Sequence, residues 1–149
     1  MKIYIIGSLA NPDLPALGHF IRLAGFEVFD QWWAASDDAD LIWKQYAQAR
    51  GQTYREALND HAAQHVFEFD KSHLDSSDAG VLVMPAGKSG WAEMGYLSGQ
   101  GKTVFIYFPE EPAADKWDVM ALFATGGVHY DKDELLDAIQ ESLHGLKEG

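Results

Sequence analysis

Short apolar runs alternate along the chain with segments whose apolar positions repeat at helical spacing. Met1 to Ile6 and Phe26 to Phe29 are apolar runs of the length expected for strands. Between them, Leu14 to Ala24 places its apolar side chains at helical spacing, and Gly25 predicts the end of that helix. The order strand, helix, strand predicts parallel strands that are joined by crossover helices.

The same alternation continues to the carboxyl terminus. Gly80 to Met84 is a continuous apolar run, which is typical of a central parallel strand covered on both faces. The other predicted elements are a loop over 30–40, a helical stretch over 41–65 broken near Gly51, a segment over 66–77, helices over 89–100, 116–124 and 133–146, and strands over 103–108 and 127–130. This pattern predicts one α/β domain over residues 1–149, built on a parallel sheet with helices on both faces.

Composition is that of an ordinary globular protein. The chain has 149 residues, of which 47% are hydrophobic and 23% charged, and it has no cysteine. Disulfides and thiolate metal sites are therefore excluded. The opening residues are too short for a signal peptide, and no apolar run approaches the roughly 18–20 residues that span a bilayer. We expect a cytoplasmic protein without a membrane partner.

The formal net charge of −12 argues against a nucleic-acid partner, because an acidic surface repels phosphates. A local site could still hold a small anion. In parallel sheets, ligands bind at the carboxyl ends of the strands. The loops that begin at Gly7, Asp30, Pro85 and Pro109 are therefore the candidate ligand sites.

The segment from Phe69 to Lys102 is the richest in candidate chemistry. It combines an acid-bearing helix, a core strand, a glycine-rich turn and a helix with Glu93 expected in its first turn. By position alone, Glu93 could simply interact with the helix dipole, and Asp70 could be a helix cap. Tyr4, within a buried strand, could be a core aromatic residue.

Two glycines, Gly95 and Gly99, are expected to let the Glu93 helix pack closely on the strands. The turn Gly87-Lys88-Ser89 resembles the end of a phosphate-binding loop. The full pattern needs a further glycine where this sequence has a leucine, which excludes a nucleoside triphosphatase loop. The turn could still bind an anion at the helix N-terminus.

Two histidines, His61 and His65, stand four residues apart and could share one helix face. The glutamate that a zinc-protease motif needs after the first histidine is missing, since Ala62 stands there. We therefore predict no metal site.

Several motifs resemble those of the nucleoside 2-deoxyribosyltransferase family, which includes 2-deoxynucleoside 5-monophosphate N-hydrolases. The resemblance spans most of the chain in order, and the motifs are Ile3 to Ser8, Asp70, Ser77 to Val81, Ala92 to Tyr96 and Ser98 to Lys102. It implies a Rossmann-like or flavodoxin-like sheet of five parallel strands. It also implies a homo-oligomer, a dimer or larger, with shared active sites and no cofactor.

The resemblance also implies roles for individual residues. Glu93 matches the nucleophile that attacks the anomeric carbon of the sugar, and Asp70 matches the acid that helps the base leave. Tyr4 matches the tyrosine that holds the nucleophile carboxylate. Asp118 matches a polar residue that a neighbouring subunit lends to the sugar 5-hydroxyl, and Gln31 matches a glutamine that contacts the base.

The full set of predicted substrate contacts is Gly7, Ser8, Gln31, Trp32, Gly87, Lys88, Ser89, Gly90 and Asp118. Trp32 suits a planar base stacked in the pocket, although a loop tryptophan can also pack on its own domain. The monophosphate hydrolases carry an arginine shortly after the first Gly-Ser, and this chain has none there. That absence and the charge of Asp118 favour a nucleoside, while Ser8, Lys88 and Ser89 could still cradle a phosphate.

The predicted reaction is cleavage or transfer of the N-glycosidic bond of a (2-deoxy)nucleoside through a glycosyl ester on Glu93. Three alternatives stay open: a (deoxy)nucleoside 5-monophosphate N-glycohydrolase, a non-catalytic nucleotide-binding module, and an NAD glycohydrolase-like enzyme. The long aromatic insert over 32–65 departs from the family pattern and leaves the base preference open.

Overall fold

The fold is built on one sheet of five parallel strands. The structure, a computed structural model, describes residues 1–7, 11–30 and 39–147, with side chains described within 1–7, 11–30 and 41–144. The strands are β1 (Lys2–Ile6), β2 (Glu27–Phe29), β3 (Ala79–Val83), β4 (Thr103–Tyr107) and β5 (Val128–His129). Their order is β2-β1-β3-β4-β5, and every neighbouring pair is parallel. The predicted α/β class and the five-stranded parallel sheet are confirmed.

The described helices are α1 (Leu14–Leu23), α2 (Ala39–Ala49), α3 (Tyr54–Leu58), α4 (His61–Ser76), α5 (Lys88–Gly99) and α6 (Lys132–Lys147). Where one helix was expected over 116–124, the chain forms two 3₁₀ turns, Ala114–Lys116 and Val119–Phe123. The helical stretch expected over 41–65 with a break near Gly51 is formed by α2, α3 and the start of α4, and the break near Gly51 is confirmed. Gly51 takes a positive φ of 68° after α2, and Thr53 begins α3 with a capping box to Glu56.

Helices cover both faces of the sheet. A Cβ atom on Gly80 would lie 2.5 Å from Leu97 Cδ1, so Gly80 faces α5. The register pairs Tyr4 with Gly80, which puts Tyr4 on the same face. On the other face, a Cβ atom on Gly18 of α1 would collide with the carboxylate of Asp30. Because α5 and α1 lie on opposite faces, the central strand β3 is buried along its whole length and is apolar, as the sequence predicted.

An ion pair fixes α1 against the end of β2. Asp30 is only 3% exposed, and both of its carboxylate oxygens accept hydrogen bonds from the guanidinium of Arg22. Arg22 also donates to the carbonyl of Val28 at 3.1 Å. The planar guanidinium can make these bonds together, which a lysine could not.

The chain forms two compact units. One consists of residues 1–30 and 76–149 and holds the whole sheet, and the other consists of residues 31–75. Within the second unit, Asp60 Oδ2 accepts hydrogen bonds from Arg50 Nη1 at 2.8 Å and from Gln52 Nε2 at 2.7 Å. The assignment of residues 1–149 to a single domain stays a prediction.

Candidate active site

One glycine brings the start of α5 close to the sheet. A Cβ atom on Gly90 would lie 3.2 Å from Leu82 Cδ1 and 3.3 Å from Ile6 Cγ2, on β3 and β1 respectively. The close packing expected from Gly95 and Gly99 is wrong, because among the described residues no atom lies within 4 Å of a Cβ atom at either position. The helix meets the strands through Gly90 in its first turn and Leu97 near its end, and Gly95 and Gly99 point elsewhere.

Glu93 lies further along α5 than its sequence suggested. The helix begins at Lys88 after Gly87, and no acidic residue stands in its first turn. The expectation that Glu93 belongs to that turn is therefore wrong. Favourable interaction of an acid with the helix dipole falls off within the first turn. Glu93 is half-buried. Because it lies beyond the first turn, interaction with the helix dipole does not explain an acid at this position.

The direction of Glu93 follows from its neighbours on α5. Trp91 lines a cavity beside Phe108. Ser98 Oγ donates a hydrogen bond to the carbonyl of Phe123 at 2.8 Å. Phe108 and Phe123 both follow β4, so Trp91 and Ser98 mark the flank of α5 that faces the chain after β4. At about 100° per residue, Glu93 projects roughly 160° away from Trp91 and roughly 140° away from Ser98. Because α5 packs on β1, β3 and β4, this opposite flank is the one toward β1.

Tyr4 lies on β1, on the face that α5 covers. Its side chain is 2% exposed, and its ring centroid is 5.1 Å from that of Phe29 on β2. Tyr4 is therefore a core aromatic residue, and it also belongs to the strand toward which the Glu93 flank is turned. A hydrogen bond from its hydroxyl to Glu93 stays a prediction.

Asp70 lies well inside α4, so the possibility that it caps a helix is excluded. It is half-buried, and the ring of the preceding residue, Phe69, makes an edge contact with His73 at 4.9 Å between centroids. Asp70 belongs to the unit formed by residues 31–75, whereas Glu93 belongs to the other unit. Its action on a base leaving Glu93 stays a prediction.

The other predicted contacts are spread over several places. Ser8, Gln31 and Trp32 lie outside the described residues. Gly7 ends β1, where a Cβ atom would lie 2.9 Å from Leu14 Cδ2. The turn residues Gly87, Lys88 and Ser89 are exposed at the beginning of α5, and their contact with a substrate stays a prediction.

A cavity of about 610 Å³ opens at the carboxyl ends of β1, β3 and β4. Its lining includes Asp13 after β1, Pro85 after β3, Phe108 and Glu110 after β4, and Trp91 of α5. Sequence analysis pointed to these loops but missed Trp91 and Phe108, which as single aromatic residues carry no motif. Neither Glu93 nor Tyr4 is among the described residues that line this cavity. For Glu93 this follows from its direction, because it projects from the flank of α5 opposite to Trp91.

Asp118 lines the same cavity. It precedes the second 3₁₀ turn, where its side chain accepts a hydrogen bond from the backbone N–H of Met120 at 2.9 Å. Within its own chain, Asp118 thus lies on the Trp91 flank of α5, and Glu93 projects from the other flank. Around it the surface is apolar: Trp117 is 67% exposed and Leu122 is 85% exposed.

Two further properties concern only the part of the chain that the structure describes. No group of three or more histidine, aspartate or glutamate side chains there could hold a metal ion. No helix there is both long enough and apolar enough to cross a membrane.

Comparison with known proteins gives a likeness to solved structures. The chain is similar to a 2-deoxyribosyltransferase from the psychrotolerant bacterium Bacillus psychrosaccharolyticus, described as a biocatalyst for the synthesis of antiviral and antitumoral nucleosides. The two are 14% identical, the match covers 92% of this chain and 91% of the other, and the TM-score is 0.63. No protein-family model and no curated protein sequence matches this chain. At this identity, the chain shares the fold of that enzyme.

Proposed function

We propose that this protein cleaves or transfers the N-glycosidic bond of a (2-deoxy)nucleoside, with Glu93 as the nucleophile. The observation that carries the proposal is the placement of Glu93: half-buried, beyond the first turn of α5, and directed to the flank toward β1. A carboxylate there has no role in stabilising the start of the helix. The similar solved structure is a deoxyribosyltransferase, which supports glycosyl transfer as the reaction class.

The proposed chemistry has two steps. A carboxylate oxygen of Glu93 forms a bond to the anomeric carbon while the bond from that carbon to the base nitrogen breaks, and the electron pair leaves with the base. Asp70 is proposed to deliver a proton to the departing base. A second base or water then attacks the anomeric carbon of the glycosyl ester and gives up a proton to Asp70, while the bond from that carbon to the Glu93 oxygen breaks and restores the free carboxylate. Tyr4 is proposed to hold that carboxylate by hydrogen bonding.

The decisive test compares Glu93→Gln with the wild type. Each protein is incubated with deoxynucleosides and deoxynucleoside monophosphates, with and without added adenine or cytosine, and products are identified by mass spectrometry. We expect free base or exchanged nucleoside from the wild type and none from the variant. Glu141→Gln, an exposed acid on α6, is the matched control and should keep full turnover.

The same assay, with NAD added as a further substrate, separates the open alternatives, since release of nicotinamide would favour an NAD glycohydrolase-like enzyme. New nucleosides that appear only with added base indicate a transferase, and free base without exchange indicates a hydrolase. Consumption of the monophosphates alone would favour the 5-monophosphate N-glycohydrolase. Full turnover by Glu93→Gln would refute the proposed nucleophile, and binding without turnover by the wild type would favour a nucleotide-binding module.

The proposed enzyme is a homo-oligomer in which Asp118 serves the site of a neighbouring copy. Asp118 and Glu93 lie on opposite flanks of α5 in one chain, so a shared role requires Asp118 from a second chain. The surface next to Asp118 exposes Trp117, Val119 and Leu122, each more than half exposed. Apolar surface of this kind marks protein interfaces.

Complementation tests this arrangement. Glu93→Gln and Asp118→Ala are each expected to be inactive, and their subunits are mixed and reassembled in equal amounts. A site that combines Glu93 of one chain with Asp118 of the other is then intact. Random pairing restores about a quarter of wild-type activity, because each of the two chains that form a site has an even chance of being the variant that supplies the intact residue. No recovery would mean that Asp118 acts within its own chain, and full activity of Asp118→Ala alone would exclude its role.

A further inference from the structure

We propose that the cavity beside Trp91 is a second ligand site, separate from Glu93, that binds a small organic cation with a planar body. Its volume of about 610 Å³ is within the range of pockets that enclose small molecules. All of its described lining residues belong to the unit that contains the sheet. Trp91 lines it from the flank of α5 opposite to Glu93, so a ligand here does not compete for the proposed nucleophile of the same chain.

The walls of the cavity suit a flat ligand. Trp91 is half-buried on α5, and Phe108 lies just beyond the end of β4, where its ring centroid is 6.0 Å from that of Tyr130. Pro85 and Pro109 add rigid apolar surface. Aromatic faces attract cations through their negative quadrupole, and tryptophan does so most strongly.

The charged side chains of the lining are mostly acidic, and Asn11 is its neutral polar side chain. Even without Asp118, which the proposed function assigns to a neighbouring site, three carboxylates and one ammonium group remain: Asp13, Glu110, Glu111 and Lys116. The hydroxyl of Tyr130 donates a hydrogen bond to Glu111, which fixes one carboxylate at the cavity. Asp13 makes no capping hydrogen bond to α1. Carboxylates only accept hydrogen bonds, so this lining favours ligands that carry donors and positive charge and repels phosphates and carboxylates.

Three probes of nearly the same shape test the charge preference: benzamidine, a planar cation; benzamide, its neutral counterpart; and benzoate, the anion. Binding is measured by calorimetry and by the indole N–H resonances of the five tryptophans, with that of Trp91 assigned from Trp91→Phe. We expect benzamidine to shift the Trp91 resonance and benzoate not to bind. Benzamide should bind at least about tenfold more weakly than benzamidine, which corresponds to a difference in binding free energy of about 1.4 kcal/mol.

Variants identify the groups responsible. Glu110→Gln combined with Glu111→Gln should weaken benzamidine binding about tenfold, whereas Glu141→Gln should leave it unchanged. Glu93→Gln should bind benzamidine like the wild type, so this result does not depend on whether the proposed reaction occurs. Equal binding of the three probes, no shift at Trp91, or unchanged affinity in the double variant would each overturn the proposal.

Discussion

The packing of Gly126 against Phe105 offers the sharpest test of the fold. Phe105 is the centre of β4 and is fully buried. A Cβ atom on Gly126 would lie 2.5 Å from Cε1 and 2.8 Å from Cγ of that ring, and closer still to Cδ1. Carbon atoms in good contact are about 3.5–4.0 Å apart, so Gly126→Ala requires the ring or the backbone to move by about 1 Å.

The expected cost is that of an overpacked core. A rigid buried ring cannot turn away as a flexible chain end could, and overpacking of this kind costs about 1–3 kcal/mol. For chains near this size, each kcal/mol changes Tm by about 2–4 °C, so Gly126→Ala should lower Tm by about 2–12 °C. The backbone of Gly126 is not in the left-handed region, so conformational strain does not add to this cost.

A matched substitution should have the opposite sign. Gly95 lies inside α5, and among the described residues nothing would meet its Cβ atom. Alanine is favoured over glycine inside a helix by about 0.5–1 kcal/mol, so Gly95→Ala should raise Tm. Thermal and urea unfolding, followed by circular dichroism, measure both variants. Wild-type stability of Gly126→Ala would refute the packing of this residue on the Phe105 ring.

Two titrating residues give predictions of opposite pH dependence. The hydrogen bond to Glu111 and the nearby negative charge raise the pKa of Tyr130 above its usual 10.0, so its stabilising contribution persists below pH 10 and is lost as pH rises through the raised pKa. Ultraviolet titration of the wild type, compared with Tyr130→Phe, should show the raised pKa of Tyr130. Glu111→Gln should return that pKa toward 10.0, and an unchanged pKa in this variant would contradict the hydrogen bond. Hydrogen bonds from the Gln52 side chain and the His61 backbone lower the pKa of Asp60 below its usual 3.8, so its contribution is present above pH 3.8 and is lost as pH falls through the lowered pKa. Asp60→Asn should therefore reduce stability at neutral pH but not in acid, as measured by urea unfolding, and an equal loss at both would exclude this ionic role.

Local patterns in the sequence determined the elements and their order. The run Gly80 to Met84 predicted a central strand, and β3 spans Ala79–Val83. Such a run must be covered on both faces, and strands that alternate with helices can be covered in this way only in a parallel sheet. The break near Gly51 was also evident, because helix stops depend on residues that are neighbours in the chain.

The sequence was less informative wherever the outcome depends on distant residues. The stretch over 41–65 was expected to break only near Gly51, yet a second break over 59–60 separates α3 from α4. Gly95 and Gly99 looked like contacts to the strands, but the orientation of α5 gives that role to Gly90. Helical spacing tells which residues share a face, and only packing on the sheet decides which face is buried.

For the candidate site, the sequence determined that an acid, Glu93, stands on the helix that follows the central strand, together with Tyr4 on the first strand. Only the tertiary structure decided that the Trp91 flank of α5 faces the cavity, and that Asp118 lies on that side. The physical reason is that motifs encode local geometry, whereas a cavity forms where segments far apart in the chain meet. Its shape and charge are therefore properties of the packed fold.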